Sequence, residues 1–576
     1  MRLAIIVAGA TLATATVSAV PAQAEQTGSA SSDPTRYVVL YQEDASAEAA
    51  HQAIRTAGGT IVRENTDIGL ATVRTRNANF AATADRHGAI EGVAHDRVIG
   101  KGPESRHVAR SQRANVEKAG RGEGHRPRQH QGTGRDGEPL ADRQWDMQQI
   151  HATADGSYQV ERGRRGVLVG IMDTGVDASH PDIAPNFNRK LSRNFTVDIP
   201  SDANGNVVDG PCSDEPDKSC HDPATVDEND HGTHVASTIA APINRLGTAG
   251  VAPKVGLVNV RAGQDSGYFF LQPTVDALTY SANVGIDVVN MSFYVDPWLF
   301  NCVNNPADSP ADRSEQRTII RATQRALDYA HRHGVTLISA AGNGATDYTK
   351  TITDSSSPDF ADVPGEQPYE RTIPPSCISM PSEGEHVISV SATGISTRKS
   401  YYSDYGNGYV DVAAPGGDTY DTADLKRDVT RAVLAAYPRS LAEQRDELNP
   451  DGTPKVDYVV ADCRGRACSY YQYLQGTSMA SPHAAGVAAL IVSRYGHHDP
   501  RHDGLTLSPS VVGSRLQASA VDHACPKPRT QTYVRYVLQD DGTYEKVTDE
   551  HTCEGPRRDN GFYGDGIVDA LRAVQR

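Results

Sequence analysis

The sequence predicts an α/β protein: a mostly parallel central sheet with helices on both faces, preceded by a small α+β domain. Three observations carry this expectation. From Leu140 onward, continuous apolar runs alternate with helical stretches, the pattern of strands buried on both faces and joined by helical crossovers. Residues 35–100 instead hold short β-type runs around helical stretches, too few for more than a small domain. Residues 101–138 are basic, rich in Gly, Arg, Gln and His, and without apolar period. Such a composition cannot bury a core, so this segment is expected to be a disordered linker open to proteases.

The elements follow in order. Residues 1–24 open with Arg2, continue as an apolar run and end in Ala22-Gln23-Ala24. That is the pattern of a secretory signal peptide cleaved after Ala24, and it places the protein outside the cell. No later stretch approaches ~18 consecutive apolar residues, so no membrane span or membrane partner is expected. YVVLY (37–41) reads as a strand and residues 46–57 as a helix stopped by Gly58-Gly59. TIVREN and LATVRT are further strands, and residues 81–100 close the small domain. In the main domain, 139–576, VLVGIM (167–172), VGLVNV, IDVVNMSF, VTLISAA and HVISVSAT read as buried strands, with a long helix over 313–333. Two segments, 197–229 and 418–470, have the character of insertions.

Charge and cysteine usage narrow the function. The chain of 576 residues carries a formal net charge of −16. Residues 1–138 hold 17 basic and 15 acidic side chains, so the excess of acid lies entirely in the main domain. An acidic domain argues against a nucleic-acid partner, which needs a basic face. Eight cysteines in an exported chain point to disulfides. Cys212/Cys220 and Cys463/Cys468, close in sequence, are the preferred local pairs, and Cys302/Cys377 and Cys525/Cys553 then remain. Many other pairings stay formally open.

Three short segments supply a nucleophile, a base and a group to orient the base, as amide hydrolysis requires. Asp173 lies in Ile171-Met172-Asp173-Thr174-Gly175, at the end of a strand pattern. His231 opens a helical stretch in Asp230-His231-Gly232-Thr233-His234. Ser478 precedes an Ala-rich helix in Gly476-Thr477-Ser478-Met479-Ala480-Ser481-Pro482-His483. Singly, each has a plain structural reading: a turn cap, a His pair at i, i+3, a helix cap. Together they are far more specific.

On these three segments the chain resembles the subtilisin-like serine proteases, the subtilases, in which the same residues occur in the chain order Asp, His, Ser. The resemblance implies a subtilisin-like fold and a secreted serine endopeptidase, with Asp173 as orienting acid, His231 as general base and Ser478 as nucleophile. His234 and Ser481 take non-catalytic positions. Ser478 at a helix N-terminus suits a developing oxyanion, since free N–H groups and the dipole favour negative charge there. Pro482 is expected in the first turn of that helix, where its missing N–H costs little. Ala340-Ala341-Gly342-Asn343-Gly344 resembles the family's oxyanion-hole segment and gives Asn343 the second donor role.

The same resemblance implies substrate held as an added β-strand, by Gln264–Tyr268 (with Ser266 and Gly267) and by Ser292, Phe293, Tyr294 and Gly342. The family usually has Gly where Tyr294 stands, so a narrowed primary pocket is expected. The acidic residues 345–379 lie where they would floor that pocket or form a solvated loop. Asp182, nine residues after Asp173, matches the family's calcium carboxylate. Pro242, Asn244, Leu246 and Thr248 match its calcium loop, with oxygen donors of the kind Ca²⁺ takes. Residues 35–100 resemble the family's propeptide, an intramolecular inhibitor removed on maturation. Peptide and protein substrates and the chain's own propeptide are therefore the expected partners of a monomeric enzyme. Two other classes compete. A catalytically silent binding module would lack one of the triad residue types. An esterase would want Gly-x-Ser-x-Gly and the order Ser, Asp, His.

Overall fold

The structure, a computed structural model, describes residues 34–96, 116–117 and 137–575, apart from 216–217, 362–363, 466 and 540. The signal sequence and most of the linker lie outside the described residues.

The small N-terminal domain forms because its strands alternate. Strands β1 (Thr35–Tyr41), β2 (Gly59–Asn65), β3 (Leu70–Thr75) and β4 (Ile90–His95) make an antiparallel sheet in the order β2-β3-β1-β4. Successive side chains point to opposite faces. Val39, Val73 and Val93 pack on helices α1 (Ala47–Thr56) and α2 (Phe80–Ala84) through Ile54 and Phe80. Val38, Leu40, Leu70 and Ala94 face the other way and join the core of the main domain. Ser46 caps α1 by accepting from the Ala49 N–H.

The main sheet has seven strands: β5 (Leu168–Met172), β6 (Arg193–Asn194), β7 (Gly256–Arg261), β8 (Val288–Met291), β9 (Thr336–Ala340) and, beyond a small hairpin of β10 (Ile352–Asp354) and β11 (Arg371–Ile373), β12 (Val387–Thr393) and β13 (Val412–Pro415). Their order is β13-β12-β9-β8-β5-β7-β6 and every pair is parallel. The five continuous apolar runs expected from the sequence are β5, β7, β8, β9 and β12, nearly all of whose residues are buried.

Short helix α3 (Trp145–Gln149) precedes β5, and helices α4 (His231–Ala240), α5 (Leu271–Asn283), α6 (Pro310–Arg332) and α7 (Thr477–Tyr495) pack with the sheet. Helix α6 starts where its sequence dictates, at a Ser309/Asp312 capping box with Pro310 at the first position. Helix α7 is buried at every position from Thr477 to Ser493, so it runs through the core rather than over it, which is why its apolar residues lie all round. Residues 433–474 form an antiparallel sheet of Val433–Tyr437, Val459–Arg464 and Ala467–Leu474, whose last strand leads directly into α7. Disulfides join Cys212–Cys220, Cys302–Cys377, Cys463–Cys468 and Cys525–Cys553.

The N-terminal sheet sits on α5 and α6. Asn65 Nδ2 donates to Asp276 and Thr279, each at 2.8 Å. Arg325 Nη1 donates to the carbonyls of Tyr41 and Ile68 at 3.0 and 2.9 Å. At Gly92 the approach is closest: a Cβ there would lie 2.3 Å from Thr318 Oγ1.

Candidate active site

Parallel strands gather their C-terminal ends on one rim of the sheet, where α/β proteins place their ligands. Asp173 follows β5 on this rim and is fully buried. Its Oδ1 accepts from the Thr174 N–H at 2.8 Å and lies 2.7 Å from His231 Nδ1. His231 is the first residue of α4, and that helix start is built by Asp227. The Asp227 carboxylate accepts from the N–H groups of Asn229, Asp230 and Thr233 and from the Thr233 hydroxyl, at 2.6 to 3.1 Å. A carboxylate so placed satisfies first-turn donors and suits the positive end of the helix. Asp230 adopts φ 99°, a left-handed conformation that costs a non-glycine residue energy. Its side chain is held by an ion pair with Arg445. Gly232 follows because a Cβ there would meet the Gly175 carbonyl oxygen at 2.0 Å.

Ser478 is the second residue of α7. The sequence expectation put Pro482 in the first helical turn, but the helix begins at Thr477, so Pro482 lies in the second. Proline has no N–H to give the carbonyl four residues back, which is that of Ser478. The Ser292 hydroxyl donates to this carbonyl at 3.4 Å and also lies 2.9 Å from Ser481 Oγ. Asn343 stands just beyond β9. Its Oδ1 accepts from both the N–H and the hydroxyl of Thr477 at 2.9 Å, which turns Nδ2 toward Ser478. Gly342 has φ 119°, and a Cβ there would meet Asp404 Oδ2 at 2.1 Å.

One side chain ties these groups together, and it comes from the segment expected to be free of structure. Glu117 is buried and its carboxylate lies between the three elements. Ser478 Oγ donates to Glu117 Oε1 at 2.7 Å and Asn343 Nδ2 donates to the same oxygen at 3.0 Å. His231 Nε2 lies 3.6 Å from Glu117 Oε2. Residues that are 305 positions apart, Asp173 and Ser478, thus belong to one site. No signal in the sequence singled out Glu117, which sits in a polar run with no period. The other histidines nearby are structural. His234 Nε2 lies 3.1 Å from the Val433 carbonyl oxygen, and burial pushes its pKa down to about 4. His483 Nε2 lies 3.0 Å from Asp146 Oδ2 in the core.

The segments expected to hold substrate differ from one another. Ser292 and Phe293 are buried, and Phe293 stacks on Phe269 at 4.0 Å. Gln264–Tyr268 is not an extended strand: Gln264 N donates to Tyr268 O at 3.0 Å and Gly267 takes φ 89°, closing a turn with Ser266 at its exposed tip. Tyr294 is half-buried, and its hydroxyl donates to Asp359 Oδ2 at 2.5 Å. The Tyr268 hydroxyl donates to the Asp359 carbonyl at 2.8 Å. The acidic 345–379 segment thus meets both of these segments at Asp359.

The residues matched to a calcium site lie together. Asp182 is fully buried and accepts from Asn244 Nδ2 at 2.9 Å, from the Thr248 N–H at 3.1 Å and from the Tyr471 hydroxyl at 2.8 Å. Burial pushes its pKa up to about 7. Glu138, which sequence reasoning left in the linker, is fully buried beside the same loop. Its Oε1 accepts from the Arg245 N–H at 2.9 Å, and its Oε2 has no hydrogen-bond partner among the described residues. Two buried carboxylates, one with an unpartnered oxygen, fit a divalent cation that takes oxygen donors. Pro242 and Leu246 belong to the same loop and would offer only backbone carbonyls. A second acidic group, Asp198, Asp222 and Asp265, encloses the Arg261 guanidinium, which already supplies the positive charge.

The chain matches the Subtilase family over residues 164–531. It is 28% identical to Subtilisin DY of Bacillus licheniformis over 62% of this chain and 84% of that protein. It is 27% identical to Thermitase of Thermoactinomyces vulgaris over 62% of this chain and 84% of that one. It spans only 55% of the length of a thermophilic serine proteinase of Bacillus sp. (strain AK1), to which it is 28% identical over 59% of its own residues. Among solved structures, the fold is similar to an epidermin leader peptide processing serine protease of Staphylococcus aureus, with TM-score 0.58 and 20% identity over 94% of this chain and 98% of that one. It is also similar to fervidolysin of Fervidobacterium pennivorans, with TM-score 0.54 and 20% identity over 94% of this chain and 61% of that one.

Proposed function

This chain belongs to the subtilase family, and from that premise we propose a secreted serine endopeptidase, made as a precursor and released by removal of its N-terminal segment. The observation that carries the reading is the 2.7 Å pair of His231 Nδ1 and Asp173 Oδ1, with Ser478 and Asn343 meeting the far side of the same imidazole through one carboxylate.

In this reading the Ser478 oxygen attacks the scissile carbonyl carbon and its proton passes to His231 Nε2. Asp173, buried and accepting from Nδ1–H, keeps the imidazole in the tautomer whose Nε2 is basic and stabilises the imidazolium that forms. The tetrahedral oxyanion accepts from Asn343 Nδ2 and from the first-turn N–H of Ser478. His231 then gives the proton to the leaving amine, leaving an acyl-enzyme that water cleaves by the same steps reversed. Peptide is held along Ser292–Tyr294. Asp182, Glu138, Asn244 and the carbonyls of Pro242, Leu246 and Thr248 would hold a calcium ion, whose charge would offset that of the two buried carboxylates.

Secretion rests on the signal pattern of residues 1–24. No helix among the described residues is long and apolar enough to cross a membrane. The test is direct: the mature protein should hydrolyse casein and take up a fluorophosphonate at Ser478, and Ser478→Ala should lose both. An esterase would label but leave casein intact, and a binding module would do neither.

A further inference from the structure

Glu117 sits where a reacting group belongs. Its backbone is fastened to the strand that feeds α7: Gln475 Nε2 donates to the Val116 carbonyl at 2.9 Å and Gln475 N donates to the Glu117 carbonyl at 3.3 Å. Val116 packs against the main core. The side chain then turns inward, and only 8% of Glu117 is exposed. Its Oε1 receives the two hydrogen bonds, from Ser478 Oγ and Asn343 Nδ2, that catalysis needs for other purposes.

We propose that Glu117 is an internal lock on the precursor, its side-chain carboxylate standing in for the tetrahedral oxyanion and holding the nucleophile's proton. This rests on the endopeptidase reading above and adds a device separate from the folded N-terminal domain. The physical reasons are two. A carboxylate oxygen carries the negative charge for which the Asn343 donor is arranged, so it binds as an anion would and excludes a substrate carbonyl. A serine hydroxyl has a single proton; while it is donated to Glu117 it is not delivered to the imidazole, and the oxygen is not activated. The second carboxylate oxygen lies 3.6 Å from His231 Nε2, on the side of the imidazole that the nucleophile's proton must reach. No bond forms or breaks, so the lock opens by displacement alone once the segment is cut and diffuses away.

The experiment uses the full chain. Fluorophosphonate labelling of the intact, uncleaved precursor is timed on gels for the wild type, Glu117→Ala and Glu117→Asp, with folding checked by thermal melting. The lock predicts at least tenfold faster labelling of the intact Glu117→Ala band. Glu117→Asp, whose carboxylate is one methylene shorter, should fall between and serves also if the alanine variant does not accumulate. Once cleavage between residues 117 and 138 has removed Glu117, the proteins are the same molecule and should label at one rate. Equal rates in the intact bands would overturn the lock while leaving the endopeptidase reading standing. Labelling of no form, precursor or mature, would overturn both.

Discussion

In the proposed reaction, hydrogen bonds at Asp173, His231, Ser478 and Asn343 decide the chemistry. Asn343→Ala removes the Nδ2 donor and should lower kcat about a hundred- to a thousandfold, some 3–4 kcal/mol of transition-state stabilisation. Steady-state kinetics on a peptide substrate checks this, with KM expected to change little. Asp173→Asn leaves the shape intact but presents the wrong partner to Nδ1, and should lower kcat by about four orders of magnitude. At this scale the sequence was legible where residue type and local motif coincide. Asp173, His231 and Ser478 stand in short segments that point to this chemistry when the three are read together. Asp227, Thr477 and Glu117 are not legible that way. Each acts through one contact made across the fold, and an acid or a threonine in a polar stretch looks the same whether or not it makes one.

Elements add their own stakes. The loop 242–248 is stitched to the body by Asp182 and Glu138. The pKa of Asp182 is raised by burial to about 7, above its unfolded value near 4. The folded state therefore binds a proton that the unfolded state has lost, and this group's contribution to stability falls as pH rises from about 4 to about 7. A bound dication reverses the preference by favouring the charged form. Thermal melts in chelator should show this loss with rising pH, and added calcium should flatten it and raise the melting temperature near pH 7. The disulfides differ in the same way by length. Cys302–Cys377 spans a separation of 75 residues and Cys463–Cys468 one of 5. Chain entropy assigns them about 4.5 and about 2 kcal/mol. Denaturant melts of the two Cys→Ser double variants should preserve that order.

For the whole molecule, the question is how the N-terminal domain stays on the peptidase domain. One face of its sheet has its own helices, and the other lies on α5 and α6. Arg325 and Asn65 provide the polar contacts, and Gly92 lets β4 approach Thr318. Gly92→Val should force the surfaces apart. In a Ser478→Ala precursor, which does not process itself, hydrogen exchange should then rise across 271–283 and 310–332 while the catalytic strands stay protected. The docking was not readable beforehand, because the unbroken apolar run of β1 says that both of its faces are apolar without saying what covers the second.

By itself the sequence determined the kind of sheet, the buried runs that build it and the family, and it supplied the residue types proposed for the triad, since those depend on local period and on contiguous motifs. The tertiary structure alone decided which residues complete the site from a distance: the acid that builds the His231 helix start, the threonine that aims Asn343, the buried Glu138, and the linker glutamate lodged against Ser478. Each of those roles is a contact between segments far apart in the chain, and a contact has no signature in composition or spacing until folding has set the distance.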